Sequence, residues 1–455
     1  MNKPTNRTSR QEAKAFVKWP RPLSAQSASE SYRKKLVSPE EAVTVIKSAD
    51  RVALAMGCGE PPALLTALYQ RHNQVEDVIL DQMLPFRKAE YLNAECAPHI
   101  RHNSWFTSGH NRQGINEGWS DYTPGYFHEY PKYFEKYVAV DVFMGTVSPM
   151  DDQGYFSFGV SVDYTSTAAA EAKIVILEVN ETMPRTHGNS LIHISEVDFV
   201  IEHNYPIPEL PNAPLTEKDI KIGQLVAERI EDASTIQLGI GAMPNAVGKA
   251  LVVKKNLGIH SEMLTDGMVY LVESGAVTNR KKTIHQGKII GTFAGGSRRL
   301  YDFLDHNPDV EMHPVSYVND PYVIGQNYKM VSINATIEVD LFGQCASESI
   351  GTYHFSGTGG QTDFARGCVR SPGGKGFIVL HSTAKGGAVS KIVSTLKPGA
   401  IVTTTKNDVD HVVTEYGVAA LRGKSAQQRA VALINIAHPD YREELTFQAK
   451  KINLI

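Results

Sequence analysis

The chain reads as an α/β protein of two similar open domains, and three observations predict this class. From residue 38 onward, short β-branched runs alternate with helical stretches, the pattern of a mainly parallel sheet. A proline-rich segment, YPIPELPNAPLTEKD (205–219), interrupts that rhythm, after which it begins again. Each half also opens on the same device, a strand, a Gly-x-Gly-x-x-Pro turn and a helix. The turn is Gly57, Gly59 and Pro62 in the first half and Gly239, Gly241 and Pro244 in the second.

Taken in order, SPEEAVTVIKS reads as a capped helix, with Ser38 at the N-cap and Glu41 three places on. RVALAM (51–56) is a buried strand, GCGEPP a turn and ALLTALYQRH a helix. VEDVILDQML, YVAVDVFMG, AKIVILEV and DFVIEHN read as further strands. In the second half TEKDIKIGQLVAERI starts a helix, STIQLGI is a strand, GAMPN a turn and AVGKALVV a helix. KMVSINATIEVDL, KGFIVLHS, AIVTTT and HVVTEYG follow as strands. The expected division is an N-terminal tail over 1–37, an α/β domain over 38–204, a linker over 205–219 and a second α/β domain over 220–455.

Bulk properties exclude several classes. A formal net charge of −3 over 455 residues offers no basic field for nucleic acid. No apolar run approaches the ~20 residues that span a bilayer, so no membrane association is expected. Cys58, Cys96, Cys345 and Cys368 lack CxxC spacing, which argues against a disulfide framework or zinc site and fits a reducing, cytoplasmic compartment. The first 35 residues are basic and polar and lack a secretory h-region. They read as a flexible or docking tail, with a transit peptide as the alternative.

Several motifs have both a chemical and a plain reading. The Gly239–Pro244 turn can present free helix-start N–H groups to an anion, but locally it reads first as an ordinary βα turn. It is no dinucleotide fingerprint, because Pro244 replaces the third glycine. Gly357, Gly359 and Gly360 form a loop that either lets a ligand approach backbone or is simply a loop. His260-Ser261-Glu262 opens like a zinc deaminase motif but lacks the later P-C-x-x-C, and H-E-x-x-H is absent, so no metal site is expected. Alone, Glu262 reads more readily as a cap or surface carboxylate. Glu415 ends an apolar strand, and Asn334 lies within one; each is either a ligand contact or a satisfied polar group. NRKK (279–282) and GGSRR (295–299) read as solvated surface or as phosphate contacts.

Together, QLGIGAMPNAVGKAL, LGIHSEMLTDGMVYLVESGAVTNRKK, SINATIEVDLFGQCASESIG, SGTGGQTDFARG, VTEYGVAALRGKSAQQRA and LINIAHPDYREEL resemble the acetyl-CoA hydrolase/transferase family. Within it the resemblance leans to the 4-hydroxybutyrate CoA-transferases and butyryl-CoA:acetate CoA-transferases, from about residue 38 to about 450. The resemblance implies two similar open α/β domains of the family I CoA-transferase type, with the active site in the interdomain cleft. It implies exchange of CoA between a short-chain acyl-CoA (4-hydroxybutyryl-, butyryl- or acetyl-CoA) and a carboxylate such as acetate. Coenzyme A thioesters enter as substrates, no cofactor is held tightly, and a homo-oligomer is expected.

The same resemblance makes Glu262 the catalytic residue, carrying a glutamyl-CoA thioester. It gives Met243 and Gly359 or Gly360 as oxyanion-hole and CoA-binding positions, and Asn334 and Glu415 as active-site support. His260 and Cys345 are left as structural. The chemistry fits those residue types, since an ionised carboxylate needs no partner base. The alternative within the fold is an acetyl-CoA hydrolase with water as acceptor. Outside catalysis, an acyl-CoA binding protein is the competing class, and a sugar-phosphate isomerase is a distant third.

Overall fold

The computed structural model describes residues 22–210 and 214–455. Seven parallel strands make the first sheet: β1 Arg51–Leu54, β2 Val78–Met83, β3 Ile100–Phe106, β4 Asp121–Tyr122, β5 Val142–Val147, β6 Ile174–Val179 and β7 Phe199–Glu202. Their spatial order is β7-β6-β5-β1-β2-β3-β4. β5 is buried at every position and β6 at all but the first, as expected of strands covered on both faces.

The second sheet contains β8 Thr235–Leu238, β9 Gly258–Ile259, β10 Met330–Ala335, β11 Lys375–Val379, β12 His411–Thr414 and β13 Gly417–Ala420, in the order β9-β8-β10-β11-β12-β13. Only the last pair is antiparallel. The order β2-β1-β5-β6-β7 in the first half therefore has its counterpart in β9-β8-β10-β11-β12 in the second. The repeated glycine turn marks a repeated topology. In each half the order reverses beside the turn-bearing strand, and open α/β sheets bind ligands at that crevice.

The helices follow local signals. α1 Ala25–Lys35 is capped by the Ser24 hydroxyl, and α2 Pro62–Gln70 starts on a proline whose missing N–H costs nothing there. α3 Glu217–Ala227 has a full capping box between Thr216 and Asp219. α4 Ala242–Ala250 starts directly after Gly241, which sits at φ 118°. Met243 and Pro244 thus belong to the helix, whereas the sequence reads GAMPN as a turn.

Other differences have clear causes. Residues 1–21 of the expected tail lie outside the described residues, but α1 buries Ala28, and Leu36 forms a bridge to Val200. Of the expected linker, residues 211–213 likewise lie outside the described residues, while the Leu210 amide donates to the Gly296 carbonyl. The capped segment at Ser38 is a single turn, Pro39–Ala42, followed by 3₁₀ backbone at Val43–Val45. KMVSINATIEVDL splits into β10 and a separate strand, Glu338–Asp340, because the Thr336 hydroxyl donates to the carbonyls of Glu338 and Ala346. AIVTTT forms one bridge, Thr404 to Cys345, in place of a strand. Its Thr403 hydroxyl instead donates to Glu348 at 2.9 Å.

The main hydrophobic core runs through both halves: Phe143, Phe156 and Tyr164 share it with Phe293, Met312 and Val413. Phe127 and Phe293 meet edge to face across the join at 6.3 Å. All four cysteines are buried and free. Among the described residues, no helix is long and apolar enough to cross a membrane.

Candidate active site

Glu262 stands between two short strands that belong to different sheets, β9 and Met263–Leu264. Its main chain is pinned from the segment that follows Ile289–Gly291. The Glu262 carbonyl accepts from the Thr292 and Phe293 amides at 3.0 and 3.2 Å. The neighbouring Ser261 amide donates to the Ile290 carbonyl at 3.0 Å. Ala294, in turn, donates to Val160 of the first half, so the carboxylate is carried where the halves meet.

Two donors hold the side chain. Asn319 follows the short helix α5 Val315–Val318, and its Nδ2 donates to Glu262 Oε2 at 2.6 Å. The Gly360 amide donates to the same carboxylate. Gly360 immediately precedes α6 Gln361–Arg370. A Cβ at Gly360 would lie 1.7 Å from Glu262 Oε2 and 2.3 Å from Asn319 Nδ2, so only glycine fits.

Behind this pair stands a second acid. Asn319 Nδ2 lies 3.5 Å from Asp363 Oδ2, and Asp363 Oδ1 is 2.8 Å from Nδ1 of His128, a residue of the first half. Facing two carboxylates, the Asn319 amide must present its NH₂ group to them. Its Oδ1 is left buried without a partner among the described residues. Burial, chiefly, and the nearby Asp363 charge push the Glu262 carboxyl up to about 8, with Asn319 and Gly360 acting in the opposite direction. Burial thus works against the ionised form that attacks a thioester, and Asn319 and Gly360 work in its favour. His128 is raised above the usual imidazole value by Asp363, against the desolvation that lowers it.

The remaining sequence candidates occupy distinct places. Gly359 and Gly357 press on Phe106 of the first half, at the end of β3. Met243 lies in the first turn of α4, whose start carries no side-chain cap. A cavity of about 120 Å³ in front of that turn is lined by Ile240, Gly241, Ala242 and, from the Glu262 side, Met263. Asn334 exchanges hydrogen bonds with Gln237 at 3.1 and 3.2 Å, and its Oδ1 faces Gly239 at the β8/β10 reversal. Glu415 is engaged elsewhere, accepting from the Ser382 amide and hydroxyl at 2.8 Å and pairing with Lys218 at 3.2 Å. His260 is fully buried with Nε2 on the Val318 carbonyl.

The basic stretches are largely occupied. Lys282 is buried, its Nζ donating to the carbonyls of Ile259 and Lys288. Arg298 pairs with Asp302 at 2.7 Å, and Arg299 pairs with Glu273. Asn319, Asp363 and His128 escape the sequence reading. Only Asp363 lies in a quoted motif, TDFARG, where it looks like an ordinary first-turn acid. The first-half glycine turn also holds an unforeseen buried acid, Glu60, which accepts from Gln82 Nε2 at 2.6 Å and which burial pushes up to about 8.

Comparison with known proteins matches two stretches of the chain to models of one family. The acetyl-CoA hydrolase/transferase N-terminal domain matches residues 21–211, and the C-terminal domain of that name matches residues 296–449. The chain is 53% identical over 430 residues to succinyl-CoA:cyclohexane-1-carboxylate CoA transferase of Geobacter metallireducens, covering 94% of this chain and 98% of that one. It is 50% identical over 423 residues to 4-hydroxybutyrate coenzyme A transferase of Clostridium kluyveri, covering 93% and 99%. The crystal structure of RipA from Yersinia pestis superposes with a TM-score of 0.90 at 39% identity, covering 95% of this chain and all of that one. The acetyl-CoA hydrolase of Kluyveromyces lactis matches more weakly, at 31% identity over 237 residues and half of this chain.

Proposed function

The chain belongs to the acetyl-CoA hydrolase/transferase family, and on that premise we propose that it is a CoA-transferase working through a glutamyl-CoA thioester on Glu262. It moves CoA between a short-chain acyl-CoA and a free carboxylate. The observation that carries this reading is the Glu262 carboxylate, held by Asn319 Nδ2 at 2.6 Å and by the Gly360 amide in a space that excludes even a methyl group.

The steps follow from those contacts. Deprotonated Glu262 attacks the thioester carbonyl, the C–S bond breaks, CoA leaves as thiolate, and an acyl-glutamyl anhydride remains. The thiolate then attacks the Glu262 carboxyl carbon, the anhydride C–O bond breaks, and the first acid departs as its carboxylate. In this second attack negative charge develops on an oxygen of Glu262 itself. Asn319 and Gly360 already donate to that carboxylate, so they serve as the oxyanion hole for the step. We assign charge on the acyl oxygen in the first attack to the amides of Met243 and Gly359. A second acid reverses the sequence, and one thioester replaces another without ATP.

Asn334 supports the Gly239 turn through Gln237, and Glu415 braces the end of β12 through Ser382. The relatives support carboxylates ranging from 4-hydroxybutyrate to cyclohexane-1-carboxylate as substrates to try, with acetate and butyrate as the simplest acceptors. The test is to incubate the protein with butyryl-CoA or acetyl-CoA and no acceptor, trap with hydroxylamine, and map the modified peptide by mass spectrometry. The hydroxamate is expected on Glu262, and Glu262→Gln is expected to lose transfer activity by about 10³-fold or more. A label elsewhere, or a fully active variant, overturns the mechanism. Thiol release that matches CoA transfer to acetate would make the protein a hydrolase instead.

A further inference from the structure

A second cluster of reactive side chains lies outside the carboxylate site. His285, Glu311 and His313 bring their ligand atoms within 4.8 Å of one another. His285 Nδ1 is 3.3 Å and His313 Nε2 is 3.2 Å from the same oxygen, Glu311 Oε2. The two contacts sit at the long end of the N–H···O range of about 2.7–3.2 Å, and they also match the edge, about 3.3–3.4 Å, of a tetrahedron built on metal–ligand bonds of about 2.0–2.1 Å.

We propose that His285 Nδ1, the Glu311 carboxylate and His313 Nε2 form a binding site for a divalent transition metal of the zinc class, with its remaining coordination position open to solvent. Two imidazoles and a carboxylate suit zinc and its neighbours better than magnesium or calcium, which favour all-oxygen sites. The three side chains are mostly buried, with exposures of 24, 25 and 11% in chain order, so a part of each still reaches the surface.

The surroundings fit that use. His285 Nε2 lies 2.6 Å from the Tyr317 hydroxyl. This outer contact orients the ring and leaves Nδ1 for the ion, as outer partners of metal-bound histidines do. Glu311 is fixed in the strand Val310–Met312, between Ile289–Gly291 and His187–Gly188. His285 holds its place at φ 52°, a backbone conformation that non-glycine residues seldom adopt. The nearby Lys282 ammonium is already committed to two carbonyls.

The sequence offers no motif for this site because its ligands come from a loop and a strand end 26 residues apart, joined by sheet pairing. Its position gives it reach. His313 leads through Pro314 into α5, which carries Tyr317 and is followed by Asn319, and the His313 amide donates to the Gly291 carbonyl at 2.9 Å. A bound ion would tie the His285 loop, the Glu311 strand and α5 together at the end opposite Asn319.

The test uses the full-length protein, freed of metal by chelation and titrated with zinc chloride or cobalt chloride alone at pH 7.5. One zinc per chain and a raised unfolding temperature are expected. Cobalt should give the visible absorption of a low-coordinate site with imidazole ligands. Tyr317→Phe should weaken binding by about 10–100-fold, and His285→Ala or Glu311→Gln by more. Absence of the cobalt spectrum in the wild-type protein overturns the proposal, whether or not the variants fold. Undiminished zinc affinity in correctly folded His285→Ala and Glu311→Gln proteins overturns it as well.

Discussion

A methyl group at position 360 has no room, since it would sit 1.7 Å from Glu262 Oε2. Gly360→Ala is therefore expected to cut kcat by at least a hundredfold while the far-UV dichroism stays unchanged. Asn319→Ala removes a hydrogen bond to a charged group, worth about 1.5–3 kcal/mol, and should slow transfer by about 10–100-fold. The raised Glu262 carboxyl sets a pH dependence. The nucleophile is the ionised form, so kcat/KM should climb as pH rises through about 8. Asp363 raises that value, so Asp363→Asn should move the climb to lower pH. Stability moves in the opposite sense. A carboxyl that holds its proton more tightly folded than unfolded stabilises the fold at low pH, and this contribution is lost as pH rises from the usual 4.5 through about 8. Glu262→Gln, which cannot ionise, should therefore gain in melting temperature relative to wild type between pH 5 and pH 9. Glu262 itself is legible in the sequence through HSEM. Its partners are not, because Asn319, Asp363 and His128 reach it across separations of 57, 44 and 235 residues along the relay.

At the scale of elements, the legible parts are those whose apolar content and caps agree. α3 is an example: Thr216 caps the Asp219 amide, and Asp219 returns a bond to the Thr216 amide. Thr216→Ala should cost about 1 kcal/mol and lower the unfolding midpoint by about 1–3 °C, measured by scanning calorimetry. β3 is the counter-example. Its sequence, IRHNSWF, looks polar, yet Asn103 and Ser104 are buried in the sheet. Asn103 donates to Asp81 at 2.7 Å, and Ser104 accepts from Asn111 at 2.9 Å. Such partners satisfy polar groups inside a core, and no hydropathy pattern reveals them beforehand.

For the whole molecule, the repeated turn correctly signals a repeated strand order, because the glycines serve the same reversal in both sheets. How the halves join is less legible, since it depends on side chains such as Phe127 on Phe293 and Tyr122 on Glu348. The shared core across that join should make unfolding a single cooperative event. Calorimetry of the full chain should show one transition, and two resolved transitions would contradict this account.

The small sheet that holds Glu311 has a consequence for synthesis on the ribosome. All seven strands of the first sheet lie within residues 51–202, so that sheet can close while the second half is still being made. His187–Gly188, however, pairs among the described residues only with Val310–Met312. Until residue 312 has emerged, the nascent first half carries an open strand edge and an uncovered part of the shared core. A chain terminated before residue 310 should accordingly need chaperone help or aggregate, whereas the full chain should not.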